Sequence, residues 1–290
     1  MTDRRALFLL LAFAAGASTA VAAAEPRCDV AMLRGLGPPP DEVLACVRAV
    51  AARPTEADGV SGTLLRASLS ALRDAAFTRP APDEPALARA LLAELQRRGA
   101  LGPLDHQSLC AILLLNGRLD DAAADRAAHP LKGEARLPAR RPLAAATVDS
   151  QARFWRWDAH FNVITEESVE LAHGVHLVVD SAPDCHFCAR AIADIEHDAV
   201  LSQAFAGVLW ITRPDQGLDR TMWQAWNGAH PTQPMVVVLD TRGWSLPDQW
   251  STPRFRVFRD GQEVASVLGW TPKSRVALLQ MARAQGLLPP

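Results

Sequence analysis

Cys185-His186-Phe187-Cys188 constrains the chain more than any other stretch, because it lies between two segments of different periodicity. Before it, His176-Leu-Val-Val-Asp180 is a short apolar run that reads as a buried strand. After it, Ala189–Phe205 reads as an amphipathic helix. The cysteine pair therefore falls where a strand gives way to a helix. A helix start carries unpaired amides and partial positive charge, which stabilise a thiolate on the first cysteine. The thiolate is the attacking species in disulfide exchange. One helical turn brings Cys188 close enough to close a disulfide or resolve a mixed one. A protonated His186 would favour the thiolate, and Asp184, if aimed at the sulfur, would oppose it.

The residues around this motif alternate in kind. Trp155, Trp157, Phe161, Val163 and Ile164 alternate with polar residues and predict strand. Val208–Thr212 and Met235–Leu239 read as strands, and Leu218–Asn227 as a helix. Phe255–Phe258 and Val264–Leu268 read as a hairpin turned at Arg259-Asp260-Gly261, and Ser274–Ala284 as a closing helix. This is an α/β region over 151–290. Residues 25–130 read instead as short helices. These are Asp41–Ala52, Ser61–Phe77, Glu84–Arg98 with Asp83 as cap, Leu104–Leu115 and Leu119–Ala128. The run 109–128 is similar to one helical hairpin of the tetratricopeptide type, but no period is sustained. Residues 131–150, with Pro138 and Pro142, read as the linker. His106, at a polar helix start, reads as a surface residue.

Length allows roughly two domains of ~100–200 residues. Hydrophobic residues make up 49% and charged residues 21%, which excludes a mainly disordered chain. The net charge of −2 gives no reason to expect nucleic acid or an anionic membrane as partner. Residues 1–24 read as a signal peptide: Arg4 and Arg5, an apolar run from Ala6, then Ala22-Ala23-Ala24 as the cleavage site. The run is short for a ~20-residue span. The expectation is a periplasmic protein with no stable membrane insertion after cleavage, in a compartment where disulfides persist.

Downstream, Thr252-Pro253 stands eight residues before Gly261 and sixteen before Gly269. With the strand, the C-x-x-C at a helix start and the helix after it, this resembles the thioredoxin superfamily over about 150–290. The resemblance implies a thioredoxin-like fold, here with an N-terminal all-α helical domain added. It implies that Cys185 attacks, that Cys188 resolves, and that Pro253 is a cis-proline beside the disulfide. Pro234 is a rival for that place, without the two glycines at the same spacing. Thr252 resembles the disulfide isomerase branch, so reductase or isomerase fits better than oxidase. No cofactor is implied. The partners implied are protein thiol or disulfide substrates and an electron-donating or accepting thiol protein.

The departures are specific. Asp184, not Trp, precedes Cys185, and His186-Phe187 is neither Gly-Pro nor Pro-His. Asp180 stands one residue closer to the cysteines than thioredoxin's buried acid, and is a candidate proton acceptor for Cys188. Three other readings stay open: a static disulfide, a non-catalytic adaptor in an envelope assembly, and a copper-handling or zinc site completed by His160 or His176. Cys28, Cys46 and Cys110 are three, so one is left over. Cys28–Cys46 is the better disulfide candidate, and Cys110 sits in the most apolar helix.

Overall fold

A computed structural model describes residues 28–34, 40–53, 59–78, 80–130, 136–142, 152–216, 218–239, 244 and 250–289. The expected signal peptide and most of the expected linker lie outside these residues.

Among the described residues six helices come first: α1 (Val30–Arg34), α2 (Pro40–Ala52), α3 (Gly62–Thr78), α4 (Glu84–Arg97), α5 (Asp105–Leu115) and α6 (Leu119–Ala128). Each of α2 to α4 buries one stripe of Leu, Val and Ala, as its helical spacing requires. Helix α5 buries almost every residue after its first turn, because α3, α4 and α6 all pack against it. Asp83 stands at the start of α4 but makes no side-chain cap. Its carboxylate accepts instead from Arg48 of α2, at 2.8 and 3.1 Å. An ion pair across two helices has displaced the local bond that the sequence suggests.

The remaining elements form one eight-stranded sheet with helices. In chain order they are β1 (Ala139–Arg141), β2 (Ala152–Trp157), β3 (Val163–Val169), β4 (Val175–Asp180), α7 (His186–His197), α8 (Ala199–Ala204), β5 (Leu209–Thr212), α9 (Arg220–Ala229), β6 (Met235–Val238), β7 (Arg254–Arg259), β8 (Gln262–Leu268) and α10 (Pro272–Ala284). The strand order is β1-β3-β2-β6-β5-β4-β7-β8. Strands β6, β5 and β4 run parallel at the centre, and β7 and β8 add an antiparallel hairpin.

Three departures from the sequence pattern have local causes. The stretch 155–164 is two strands, because Asp158 ties the turn by accepting from the N–H groups of Asn162 and Val163. The helix expected over 189–205 breaks at Asp198, which caps α8 by accepting from Val200 and Leu201. Strand β1 lies inside the expected linker and pairs parallel with β3. A three-residue strand is too short to show a period, so nothing in 131–150 announces it.

The α-helices and one face of the sheet share a single core. It runs from Leu65, Leu91 and Leu113 through Trp155, Trp210 and Phe255 to Ile192 of α7. The other face carries a smaller core of Phe154, Val178, Ile211, Val236, Phe258 and Trp244. At the junction of the helices with the sheet, Gly117 holds a φ of +70° after α5. A Cβ there would lie 3.1 Å from the carbonyl oxygen of Leu239, so only glycine allows both the turn and this approach. Arg213, after β5, places its guanidinium over the ring of Phe77 in α3. Seven of the eight tryptophans are buried and Trp250 is half-buried, so they serve the core rather than an open groove.

Candidate redox site

Cys185 caps the N-terminus of α7. Its backbone is extended (φ −78°, ψ 105°) while His186 begins the helix. Its sulfur accepts the N–H of Cys188 at 3.2 Å. The first cysteine thus uses sulfur where helices usually place a hydroxyl or carboxylate oxygen. Any negative charge on that sulfur is met by an amide and by the positive end of a twelve-residue helix. Cys185 and Cys188 are joined as a disulfide, with their Cα atoms 5.2 Å apart.

The two sulfurs differ in access. Cys188 is wholly buried, with Ala191, Ile192 and Ile195, on the face of α7 that packs on the sheet. Cys185 is half-buried. Asp184, His186 and Phe187 surround it and are exposed. The rings of His186 and Phe187 lie 3.9 Å apart, centroid to centroid. The mouth of the site is therefore one aromatic and one imidazole ring beside a reachable sulfur.

Thr252 and Pro253 enter from the neighbouring strand. Asp180 at the end of β4 pairs with Arg254 at the start of β7, so Pro253 stands at the sheet end from which the chain runs on to Cys185. The Thr252–Pro253 bond is cis; among the described residues it is the single cis bond, and Pro234 is not in one. The Pro253 carbonyl accepts the N–H of Gly269 at 2.8 Å, and Gly269 holds a φ of +78° that favours glycine. The spacing from Pro253 to the second glycine is thereby a hydrogen bond.

Asp180 is placed elsewhere. Side chains alternate along a strand, so Asp180 shares a face with Val178, which belongs to the smaller core. Cys188 and α7 pack on the opposite face. The carboxylate of Asp180 meets Arg256 instead, which donates from Nη2 at 2.8 Å and Nε at 3.1 Å. Arg256 also donates to the Trp244 carbonyl and to Glu263. Burial pushes the Asp180 carboxyl up, to about 6, against the pull of Arg256. The expectation that Asp180 takes a proton from Cys188 is corrected by this parity. A shift of one residue along a strand exchanges faces. Arg256 escaped the sequence reading; its signal was an arginine inside the otherwise apolar Phe255-Arg256-Val257-Phe258.

The histidines considered as extra metal ligands do not converge on the cysteines. His176 lies at the far end of β4 and bonds the His173 carbonyl at 2.7 Å. The carbonyl of His160, between β2 and β3, accepts from Arg220. Cys28 and Cys46 are joined as a second disulfide, Cα to Cα 5.2 Å, and Cys110 is buried outside both disulfides, its sulfur accepting from Arg126 Nη2 at 3.3 Å.

No family model matches the chain, and no curated protein matches it. Two solved structures were found similar. One is a candidate thioredoxin from Neisseria meningitidis, with 14% identity and a TM-score of 0.31, over 47% of this chain and 90% of that one. The other is a thioredoxin-like protein from Bacteroides caccae ATCC 43185, with 11% identity and a TM-score of 0.32, over 85% of this chain and 95% of that one. Likeness at this level carries no functional inference. What the fold and site themselves define is a mixed α/β protein with a disulfide at the strand-to-helix corner between β4 and α7. Among the described residues no helix is long and apolar enough to cross a membrane.

Proposed function

We propose that the protein is an exported thiol-disulfide oxidoreductase that works on protein substrates as a reductase or isomerase. The observation that carries this reading is the asymmetry of the pair. Cys185 is reachable and sits at a helix N-terminus, whereas Cys188 is sealed behind it. In the reduced protein the Cys185 thiolate attacks one sulfur of a substrate disulfide. A mixed disulfide forms, and the other substrate sulfur leaves as a thiolate. The Cys188 thiolate then attacks Cys185 Sγ, closing the Cys185–Cys188 disulfide and releasing the second substrate thiolate. Two electrons have passed to the substrate, and a partner thiol protein returns them. Thr252 and Pro253 offer backbone to the substrate chain, and Phe187 offers it an apolar contact. A non-catalytic adaptor would be better served by a sealed Cys185. The second disulfide, Cys28–Cys46, supports an oxidising compartment such as the periplasm.

The test is a redox titration of the protein in glutathione buffers, followed by thiol trapping and mass spectrometry, with Cys185→Ser as control. A reversible transition at about −250 mV or below supports a reductase, and one between about −120 and −200 mV an isomerase or oxidant. A pair that never opens overturns the enzyme reading.

A further inference from the structure

We propose that His106, Asp125 and His129 form a binding site for a divalent cation of the zinc class, separate from the cysteine site. His106 lies in the first turn of α5, Asp125 in α6, and His129 caps the end of α6. One ligand atom from each lies within 4.8 Å of the other two. His106 Nδ1 is 3.0 Å from Asp125 Oδ1, and His129 Nδ1 is 3.3 Å from the same oxygen. In a tetrahedral zinc site with bonds of about 2.0–2.1 Å, neighbouring ligand atoms are about 3.3 Å apart. The edge between the inner pair, His106 and Asp125, is close to that value, and His129 already lies beside the same oxygen, within a ring turn of binding. Imidazole and carboxylate together suit zinc, nickel or copper better than magnesium or calcium, which take oxygen.

Burial also favours an ion over a solvated face. His106 and Asp125 are only 19% and 13% exposed at their side chains, while His129 is 47% exposed. The inner two fix the site, and the outer one closes it. Three protein ligands leave a fourth position for water. His129 Nδ1 also lies 3.2 Å from the Asp125 carbonyl, and its ring stacks on His106 at 3.6 Å and 15°. Parallel rings do not aim both lone pairs at one point, so binding requires His129 to turn out of the stack, for which its exposure leaves room.

The experiment is calorimetric titration of the full chain with zinc chloride, its cysteine pairs kept as disulfides so that neither can ligate. One equivalent is expected to bind, and magnesium chloride to give no heat. His106→Gln and His129→Gln are each expected to weaken zinc binding by about tenfold or more. Long-range proton–nitrogen spectra of the unaltered protein provide a readout that needs no variant: the Nδ1 signals of two histidines shift on zinc addition. No uptake, uptake retained by either variant, or unshifted Nδ1 signals would overturn the site. Because the cysteines stay oxidised, the outcome is independent of the proposed redox function.

Discussion

Arg256 donates two hydrogen bonds to one oxygen of Asp180, at 2.8 and 3.1 Å, with both side chains wholly inside the protein. The other oxygen of Asp180 has no hydrogen-bond partner among the described residues. Removing one member of a buried pair costs about 3–5 kcal/mol when the other charge is left uncompensated, and Glu263, 3.4 Å from Arg256 Nη1, reduces that here to about 1–3 kcal/mol. Asp180→Asn is expected to destabilise by that order in urea unfolding of the disulfide-closed protein. It is also expected to leave the pH dependence of Cys185 alkylation unchanged, because the two groups face opposite sides of the sheet. A shift in the alkylation profile would return Asp180 to the redox site.

The order of the two sulfurs makes a second prediction. With Cys188→Ser, the mixed disulfide at Cys185 cannot be resolved internally, so substrate proteins accumulate as covalent adducts. With Cys185→Ser no adducts form, because the remaining sulfur is wholly buried. Non-reducing electrophoresis after growth separates the two, and adducts on Cys185→Ser would contradict the assignment.

Glu84 supplies a pH prediction. It is fully buried at the start of α4, where Oε2 accepts from Asn116 at 2.9 Å and Oε1 has no hydrogen-bond partner among the described residues. Burial pushes its carboxyl up to about 7 from an ordinary 4.5. The folded protein therefore holds a proton that the unfolded chain has lost. Stability contributed by the protonated form is full below the ordinary value and falls as pH rises to about 7. The total is on the order of 3 kcal/mol. Glu84→Gln is expected to flatten that decline between about pH 4.5 and 7 in thermal unfolding. An unchanged profile would show that the group ionises without penalty.

The Cys28–Cys46 bridge spans 18 residues and ties the segment before α1 to the wholly buried position 46. Closing a loop of this length constrains the unfolded chain by about 3 kcal/mol. Cys28→Ala with Cys46→Ala is expected to lower stability by that order, plus a smaller loss from the emptied core position. The potential of the Cys185–Cys188 pair should stay unchanged, and a change would reveal coupling between the helices and the redox site.

Most helices were legible because their signal is local. Leu119–Ala128 begins and ends where the pattern places it, between Asn116-Gly117 and Pro130. The cysteine pair at a helix start was legible for the same reason, since strand, motif and helix are contiguous. Thr252-Pro253 was legible through spacing to two glycines, one of which turns out to bond the proline carbonyl.

The rest depends on residues far apart in the chain. The partner of Asp180 stands 76 residues away, and a single-residue change of strand parity decides which face the acid takes. Asp83 is drawn from its cap by Arg48, 35 residues earlier. His106 reads as a surface residue until α6 brings Asp125 and His129 against it. Sequence alone determined most of the elements, because hydrogen bonding and apolar periodicity within a helix or strand act over a few residues. Only the tertiary structure decided which charges meet, because side chains on different elements become neighbours through the burial of a shared core, and no local pattern encodes that pairing.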